Sequence, residues 1–435
     1  MNTYFHSVRL DEEKCMGCTN CIKRCPTQAI RVRNGKANII SERCIDCGEC
    51  IRVCPHHAKY SHRDSMNRII EFKYRVALPA PSLYGQFNNL DDIGYIITAL
   101  KCLGFDEVFE VARGAELVSD ATRKYIAEND IPKPVISSAC PAVCRLIRVC
   151  FPHLVPHVLP LNSPMETAAQ LARQEAVEKT GLDPSDIGIF FITPCPAKIT
   201  AVKQPICLPE SNVDAVIAMK DIYPVLLKQM NHLREPQDAC LSGLMGVSWA
   251  SSGGESAALL KEKYLAADGI ENVIKVLEEI EDEKLQRLDF VELNACSGGC
   301  VGGSLTAENP YIAKARLQQL RRYLPVSANH LDGDTVPDDM LWERPLEGSS
   351  VLKLADNVSD AMAMMAKITE LLERLPGLDC GTCGAPTCRA LAEDIVHGNA
   401  VLHDCVFAMR DELDETNMQE YIPAPFRRKH KEDTK

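Results

Sequence analysis

The sequence predicts an α/β protein with a small cysteine-rich module at each end. Beyond residue 70, short apolar runs alternate with amphipathic helical stretches, as they do in α/β folds. Before residue 70 and after residue 377, cysteines cluster at metal-ligand spacings. We therefore predict three folded segments and a tail, with the bounds 1–70, 71–350, 351–420 and 421–435.

The composition indicates metal binding in a compartment that keeps thiols reduced. The chain has 435 residues and 21 cysteines, and clustered cysteines in a long chain indicate metals more often than disulfides. Charged residues precede any apolar run at the N-terminus, and no stretch approaches the roughly 20 apolar residues of a membrane span. We expect a cytoplasmic protein with no membrane span.

The charge is unevenly distributed along the chain. The net charge of −12 argues against nucleic acid as a partner. Residues 1–75 hold 14 Lys and Arg against 8 Asp and Glu, a balance of +6 that leaves −18 for the rest. The basic excess is either a solvated surface or a docking face for an acidic electron carrier, and composition alone leaves both open.

The N-terminal segment contains a duplicated cysteine motif, Cys-x2-Cys-x2-Cys-x3-Cys-Pro, in which every cysteine recurs 29 residues later. This is the spacing of the bacterial ferredoxins, small α+β modules with two 4Fe-4S clusters, in which the fourth cysteine of each run ligates the other cluster. A zinc site would have no use for the interleaved extra thiolates. The predicted ligands are therefore Cys15, Cys18, Cys21 and Cys54 for one cluster, and Cys44, Cys47, Cys50 and Cys25 for the other.

The central segment is predicted to alternate strands and helices. The predicted strands are Lys73–Leu78, Glu107–Val111, Pro134–Ser137, Ile187–Thr193, Val213–Ala218 and Asp289–Leu293. The predicted helices are 91–103, 115–128, 165–179, 255–265, 270–285 and 310–323.

Three of these strands end in a cysteine: Cys140, Cys195 and Cys296, the last followed by Cys300. Ligands in open α/β sheets gather beyond the carboxyl ends of strands. Glycines around Cys296 and Cys300 would let the backbone approach inorganic sulfide. One such cysteine could be a small buried hydrophobe, but four thiolates at three strand ends favour a shared 4Fe-4S cluster.

These loops resemble the signature loops of the FeFe-hydrogenases, T-S-C-C-P, M-P-C-x-x-K-x-x-E and E-x-M-A-C-x-x-G-C-x-x-G. The resemblance covers residues 1 to about 330. It implies a two-lobed α/β core around an H-cluster, which is a 4Fe-4S cubane joined to a diiron subsite with CO, cyanide and azadithiolate ligands. The cubane ligands would be Cys140, Cys195, Cys296 and Cys300, of which Cys300 would also bridge to the diiron subsite. Lys198 and the segment Ala80, Pro81 and Ser82 would contact the cyanides.

The chain also departs from the family pattern. Ala139 stands where the family has its proton-relay cysteine, and Thr193, Ala201 and Asn294 replace a methionine, a glutamate and a methionine. An acidic relay pair is also missing, because Ala121 and Thr122 lie near its position. Proton transfer in a dry site needs an unbroken chain of ionisable groups, so we expect slow turnover.

The C-terminal segment carries a third cysteine quartet, Cys380, Cys383, Cys388 and Cys405. Its spacing resembles the small helical 4Fe-4S domains of electron-transfer subunits and corrinoid proteins, although a zinc site is an alternative. A helix over Asn357–Leu375 should precede it, and the tail Arg427–Lys435 is predicted to be disordered. Among hydrogenases such an appendage is typical of sensory members, often called group D.

Sequence alone therefore predicts a sensory FeFe-hydrogenase that exchanges electrons with a ferredoxin-like carrier or a downstream signalling partner, with H2 and protons as substrates. One alternative is an iron–sulfur assembly factor of the same fold without a diiron subsite. Another is an electron-transfer subunit whose core is only a scaffold. The cysteines left without a role are Cys102, Cys144, Cys150, Cys207 and Cys240, of which Cys144 could act as a substitute relay thiol.

Overall fold

The computed structural model describes residues 5–415, 418 and 421–422. The predicted disorder of Arg427–Lys435 concerns residues outside this range. Within the described residues, no helix is long and apolar enough to cross a membrane.

The strands of the described chain are short. They are β1 (Val8–Leu10), β2 (Ile30–Arg33), β3 (Lys36–Ile39), β4 (Lys59–Ser61), β5 (Tyr74–Pro79), β6 (Glu107–Val108), β7 (Val135–Ile136), β8 (Ile187–Thr193), β9 (Ala215–Ala218), β10 (Tyr264–Asp268) and β11 (Phe290–Asn294).

Helices separate most of these strands. They are α1 (Asn20–Lys23), α2 (Glu49–Arg52), α3 (Gly94–Cys102), α4 (Val111–Glu128), α5 (Pro141–Cys150), α6 (Pro164–Thr180), α7 (Pro196–Lys203), α8 (Met219–Met230), α9 (Leu244–Ser248), α10 (Gly254–Ala258), α11 (Ile270–Glu281), α12 (Pro310–Leu320), α13 (Val358–Arg374), α14 (Cys388–Val396) and α15 (Val406–Glu415).

Two parallel sheets form the centre of the molecule, in the strand orders β6-β5-β8-β9 and β10-β11-β7. Every residue of β8 is buried, as expected for a central strand of a parallel sheet with both faces covered. The predicted mixed α/β fold with a small helical C-terminal region is confirmed. Because the two sheets are separate, the strand ends that carry cysteines come from two lobes.

One predicted helix is wrong. Residues 255–265 contain only the short helix α10, which is followed by strand β10 of the second sheet. Leu260 has a φ of +55°, a left-handed conformation that a helix interior does not tolerate. The run Tyr264–Asp268 then pairs in parallel with β11, so long-range pairing overrides the local helical pattern.

The described chain divides into two compact units that are discontinuous in sequence. The first contains residues up to Arg9, Ile45–Gly48 and Ser61–Ser349. The second contains Leu10–Cys44, Glu49–Tyr60 and the described residues from Ser350 onward. The N-terminal ferredoxin-like segment therefore contributes to both units.

Candidate metal centre

The first compact unit positions its cysteines at helix starts and turns. Cys140 and Cys195 each precede a proline that begins a helix, α5 and α7. Proline suits the first helical position because it has no N–H to leave unsatisfied and its φ is already helical. Each cysteine is thereby fixed at the junction between a strand and a helix, where its side chain can face a common site.

The third loop is held by close backbone packing. A Cβ on Gly299, which has a φ of +90°, would lie 2.4 Å from the Ser252 N atom. A Cβ on Gly303 would lie 2.2 Å from the carbonyl oxygen of Pro194, the residue before Cys195. These glycines are thus required by contacts with protein backbone, and they bring the third loop against the second.

The thiols of three different loops lie near one another. Burial raises the pKa of Cys300 to about 12, and the neighbouring Cys195 and Cys140 raise it further while the Lys198 cation opposes the change. Burial likewise raises the pKa of Cys195, with a contribution from Cys140. Cys296, four positions before Cys300, is 9% exposed. Buried thiols grouped in this way fit a metal cluster, which binds them as thiolates.

A cavity lies beside Cys300. Its wall includes predicted site residues from four separate parts of the chain: Ala80, Pro81, Ser82, Ala139, Lys198 and Cys300. The other three predicted ligands, Cys140, Cys195 and Cys296, are not among its lining residues. A group attached to the cubane through Cys300 would need the Cys300 thiolate to face the cavity, and Cys300 is part of the cavity wall.

Two polar groups face this cavity with capacity to bind. Lys198 Nζ is 3.5 Å from the carbonyl oxygen of Ala139, a long contact that leaves donor capacity for another acceptor. Ser82 is fully buried, and its Oγ lies 3.9 Å from the sulfur of Met219, a weak acceptor. A cationic donor and a hydroxyl donor in a dry cavity are suited to small anionic ligands such as cyanide.

The structure reveals two buried carboxyl groups that sequence reasoning missed. Glu255 and Glu292 line the cavity and are 5% and 2% exposed. Burial, and then the neighbouring Glu292, raises the pKa of Glu255 well above its ordinary value. Burial also raises the pKa of Glu292. One signal was present in the sequence, because Glu292 is an acid in an otherwise apolar strand.

Hydrogen bonds fix both carboxyl groups in place. Both carboxyl oxygens of Glu255 lie 2.7 Å from Ser137 Oγ, and this hydroxyl also accepts the Ala139 N–H at 3.2 Å. Glu292 accepts from the backbone N–H groups of Gly253 and Ser256 at 2.9 and 2.8 Å. Glu255 is therefore connected to the first loop, and Glu292 is connected to the backbone on either side of Glu255.

These acids change the expectation of an interrupted proton path. Ala121 and Thr122 lie in the middle of α4, between Asp120 and Arg123, and the Thr122 hydroxyl donates to the carbonyl of Val118. Neither residue carries an ionisable side chain. Glu255 and Glu292 nonetheless supply ionisable groups to the Cys300 cavity from other elements.

The remaining departures from the family motifs have local roles. The Thr193 Oγ accepts the N–H of Cys195 at 3.2 Å, which helps to shape the second loop. The Asn294 side chain donates to Glu292 at 2.8 Å and lines the Cys300 cavity. Ala201 lines a neighbouring cavity, which shares Ala139 and Lys198 with the first.

Cys144 faces the neighbouring cavity and is not among the residues that line the Cys300 cavity. It is 6% exposed and its Sγ donates to the carbonyl of Ser138 at 3.3 Å. Burial raises the pKa of Cys144 far above its usual range. A thiol that holds its proton so tightly is a poor relay, which argues against the substitute role.

The predicted ligands of the first ferredoxin cluster share a cavity in the second unit. Cys15, Cys18, Cys21 and Cys54 all line it. The pKa of Cys21 is raised to about 11, first by burial, and the other three thiols contribute to the increase. The Ala58 N–H donates to the Cys54 Sγ at 3.3 Å, an arrangement that suits a cluster-bound thiolate.

The duplicated motif is also visible in its hydrogen bonds. The Ala29 N–H donates to the Cys25 Sγ at 3.2 Å, as Ala58 does to Cys54 29 residues later. Cys25 belongs to the predicted second cluster, together with Cys44, Cys47 and Cys50. The same local structure therefore surrounds the fourth cysteine of each run.

Cys47 lies in the first unit, beside the second core loop. Asp46 accepts the Thr200 hydroxyl at 2.8 Å and the Val8 N–H at 3.0 Å. A Cβ on Gly48 would lie 3.4 Å from Pro196, the residue after Cys195, and 2.2 Å from Ser304 Oγ. Cys47 and Cys195 also pack against the same apolar cluster. One ferredoxin cysteine is therefore fixed next to a core cysteine.

The C-terminal quartet is partly gathered by helix capping. The N–H of Cys388, the first residue of α14, donates to the Asp379 carboxylate at 2.6 Å. Burial raises the pKa of Cys383, and the thiols of Cys405 and Cys380 contribute to the increase. At least three of the four sulfurs thus lie near one another, which fits a cluster.

Family models match all three parts of the chain. Residues 73–262 and 242–304 match "Iron only hydrogenase large subunit, C-terminal domain", which covers more than half of the 435 residues. Residues 7–55 match a 4Fe-4S dicluster domain, and residues 375–407 match a putative Fe-S cluster family. Iron–sulfur binding is therefore supported at both ends of the chain.

Curated relatives agree with these models. The chain is 25% identical to Iron hydrogenase 1 of Clostridium pasteurianum over 68% of its own length and 64% of that protein. It is 27% identical to the Periplasmic [Fe] hydrogenase large subunit of Nitratidesulfovibrio vulgaris over 61% of its length and 69% of that protein. A solved structure of [FeFe]-hydrogenase HydA1 from Chlamydomonas reinhardtii aligns with a TM-score of 0.47 at 19% identity, covering 68% of this chain and 91% of that one. Because the iron-only hydrogenase model matches more than half of its residues, including the cysteine loops, the chain belongs to the iron-only hydrogenase large-subunit family.

Proposed function

We propose that this protein is a low-turnover FeFe-hydrogenase of the sensory type, which interconverts H2 with protons and electrons. The single observation that supports this most strongly is the cavity beside Cys300. Separate segments of the chain deliver to it the residues that the family motifs assign to a diiron subsite. An iron–sulfur scaffold without that subsite would have no need for Lys198 and Ser82 in one dry cavity.

The Cys140, Cys195, Cys296 and Cys300 thiolates would hold the cubane of the H-cluster. When bound, the H-cluster supplies an iron site at which H2 is cleaved or formed heterolytically. Lys198 would donate to an anionic ligand and hold the group in one orientation. Ser82, three residues after β5, would donate from a separate chain segment, and the buried walls would exclude water.

Glu255 supplies a proton reservoir next to this cavity. Its raised pKa keeps the carboxyl group protonated at pH values where an exposed carboxylate would be charged. Ala139, at the position of the family's relay thiol, cannot carry a proton. The proton route would then differ from the family pattern, which accords with a slow enzyme whose output is the redox state of its clusters.

Electrons would reach the core through the ferredoxin-like segment. Cys47 is the ferredoxin ligand that lies beside the second core loop within the first compact unit, so electrons would pass to the core at Cys47. The basic excess of residues 1–75 suits an acidic electron carrier or signalling partner. Slow turnover would suit a sensor, because its output is the redox state of its clusters and not the amount of product. The partner would respond to the reduced clusters.

Substitution of Cys300 tests the proposal. In protein matured with the diiron subsite, we expect Cys300→Ala to lose the infrared bands of iron-bound CO and cyanide together with all hydrogen activity, because one thiolate serves both parts of the H-cluster. The EPR signals of the ferredoxin-like clusters should persist. Cys296→Ala removes only a cubane ligand, and Cys102→Ala, at an exposed cysteine, is the matched control.

Two results would count against the proposal. If Cys300→Ala keeps both the diiron bands and the activity, Cys300 is not the bridge and the H-cluster assignment fails. If the unsubstituted protein never shows these bands after maturation, the chain is an iron–sulfur relative without a diiron subsite.

A further inference from the structure

The second compact unit contains two of the predicted cysteine quartets. We name Cys15, Cys18, Cys21 and Cys54 the first quartet, and Cys380, Cys383, Cys388 and Cys405 the C-terminal quartet. We propose that β2 and the loop of residues 379–384 hold these quartets side by side, so that their clusters exchange electrons directly. This inference rests on one part of the proposed function, namely that both quartets bind 4Fe-4S clusters. It does not depend on the hydrogen chemistry of the Cys300 cavity.

A backbone hydrogen bond joins the two sites. The Val32 N–H donates to the carbonyl of Gly384 at 2.8 Å. Val32 lines the cavity of the first quartet, and Gly384 directly follows Cys383 of the C-terminal quartet. The wall of one cluster site and the ligand loop of the other are therefore in direct contact.

The same loop also contacts the helix that carries Cys21. Lys23 of α1 donates from its Nζ to the carbonyl of Asp379. A Cβ on Gly381 would lie 3.3 Å from the Ile22 side chain and 2.8 Å from that of Lys23. The loop of residues 379–384 thus lies along two elements of the first quartet's module, α1 and β2.

A buried ion-pair cluster fixes this arrangement. Arg31 Nε and Arg33 Nη2 both donate to the same oxygen of Asp394 at 2.7 Å. The Arg31 side chain is only 7% exposed, so loss of Asp394 would leave a buried cation without its carboxylate. Arg33 also donates to the carbonyl of Cys383 at 3.0 Å. We assign Arg31, Arg33 and Asp394 as positioning residues for the cluster pair.

The exchange itself is a one-electron step. One electron leaves a reduced cluster in one quartet and arrives at the oxidised cluster in the other, with no bond formed or broken and no proton moved. The C-terminal module would then extend the ferredoxin-like chain by one cluster, which gives it a redox role as well as a structural one.

EPR of the full-length protein with its iron–sulfur clusters tests the pair. Both the unsubstituted protein and Cys388→Ser, which lacks a ligand of the C-terminal quartet, are reduced with dithionite. Subtracting the spectrum of Cys388→Ser from that of the unsubstituted protein leaves the signal of the C-terminal cluster. We expect this difference to show splitting and fast relaxation caused by a neighbouring spin. In a redox titration, the reduction of one cluster should shift the midpoint potential of the other to a lower value.

Two matched pairs of variants test the contacts. A Cβ at Gly384 would lie 2.0 Å from the Val32 carbonyl oxygen, whereas Gly398, also with a positive φ, has nothing within 4 Å of its Cβ. We expect Gly384→Ala to lose the splitting at unchanged iron content, and Gly398→Ala to keep it. Asp394→Asn should weaken the splitting, whereas Glu393→Gln, which pairs only with the exposed Arg389, should not.

A difference spectrum without splitting in the unsubstituted protein would overturn the proposal. So would full splitting in both Gly384→Ala and Asp394→Asn at full iron content, because the named contacts would then not position the clusters. We expect the infrared bands of the diiron subsite to be unaffected by these variants. Failure here would therefore leave the proposed hydrogenase function intact, and failure of the Cys300 test would leave the cluster pair intact.

Discussion

At the scale of single residues, the pair Glu255 and Glu292 places two ionisable groups at the wall of the Cys300 cavity. Two carboxyl groups that interact in a buried site cannot both ionise easily, so the pair retains a proton at pH values where an isolated carboxyl group is charged. In the proposed hydrogenase, a proton retained at this place would give the two residues a chemical role that their sequence positions alone do not reveal.

Glu255→Gln tests this role. The amide can still accept from Ser137 but cannot transfer a proton, so we expect hydrogen evolution to fall by about 10²-fold, the scale of general acid catalysis. Glu116→Gln is the control, because Glu116 is 2% exposed and accepts backbone N–H groups but does not line the cavity. Equal losses in both variants would indicate a structural effect only.

The pH dependence of the rate follows from the same group. The pKa of Glu255 is raised, so the acid form persists above the ordinary pKa of a carboxyl group and is lost as the pH rises through the raised value. Hydrogen evolution should therefore decline as the pH rises through that value. Glu255→Gln should flatten the decline, whereas a decline of unchanged shape in Glu255→Gln would exclude Glu255 as its source.

Ala139→Cys tests the missing relay thiol. Ala139 lines both the Cys300 cavity and the neighbouring one, so a thiol there would add an ionisable group next to Lys198. We expect a moderate increase in the rate of hydrogen evolution per diiron subsite. The amount of diiron subsite is measured from its infrared bands. An unchanged rate at full maturation would mean that the route through the carboxyl pair limits turnover, or that the rate is set elsewhere.

At the scale of elements, the turn that contains Cys47 connects the ferredoxin-like segment to α7. Gly48 has a φ of +81°, and a Cβ there would meet Ser304 Oγ at 2.2 Å. We expect Gly48→Ala to slow the reduction of an external dye by H2 while the infrared bands of the diiron subsite stay unchanged. Gly35→Ala, with a φ of +73° and open space at its Cβ, is the control. A normal rate in Gly48→Ala would exclude this turn as an electron route.

The elements also show what local sequence can predict. Strand β8 was predicted with its observed bounds, because seven consecutive buried residues leave little choice of structure. Helices α5 and α7 were not predicted, although Cys-Pro at each start is a helix signal. Glu255 was missed for a different reason, since its role depends on the approach of β11, which no local pattern indicates.

At the scale of the whole molecule, iron content measures how many quartets are loaded. Four cubanes and a diiron subsite give about 18 iron per chain, and about 16 without the subsite, if every quartet holds a 4Fe-4S cluster. Iron and zinc analysis of matured protein checks this value. A loss of about 4 iron, to about 14 with the subsite or about 12 without it, or stoichiometric zinc, would remove the C-terminal cluster.

The domain organisation was less accessible from sequence than the cysteine motifs. Spacing alone predicts the quartets because cluster ligands are local. The division into units depends on contacts such as Arg31 with Asp394, which are more than 360 residues apart. The segment bounds predicted from the motifs therefore remain predictions. The packing of the second unit follows only from the three-dimensional structure.

The discontinuous second unit has a consequence for the order of events during synthesis. Arg31 and Arg33 are synthesised more than 360 residues before their carboxylate partner Asp394. Nascent segments generally fold as they emerge. Strand β2 therefore lacks this ion pair until translation reaches residue 394. A chain that stops before that residue would lack the carboxylate that neutralises the two arginines.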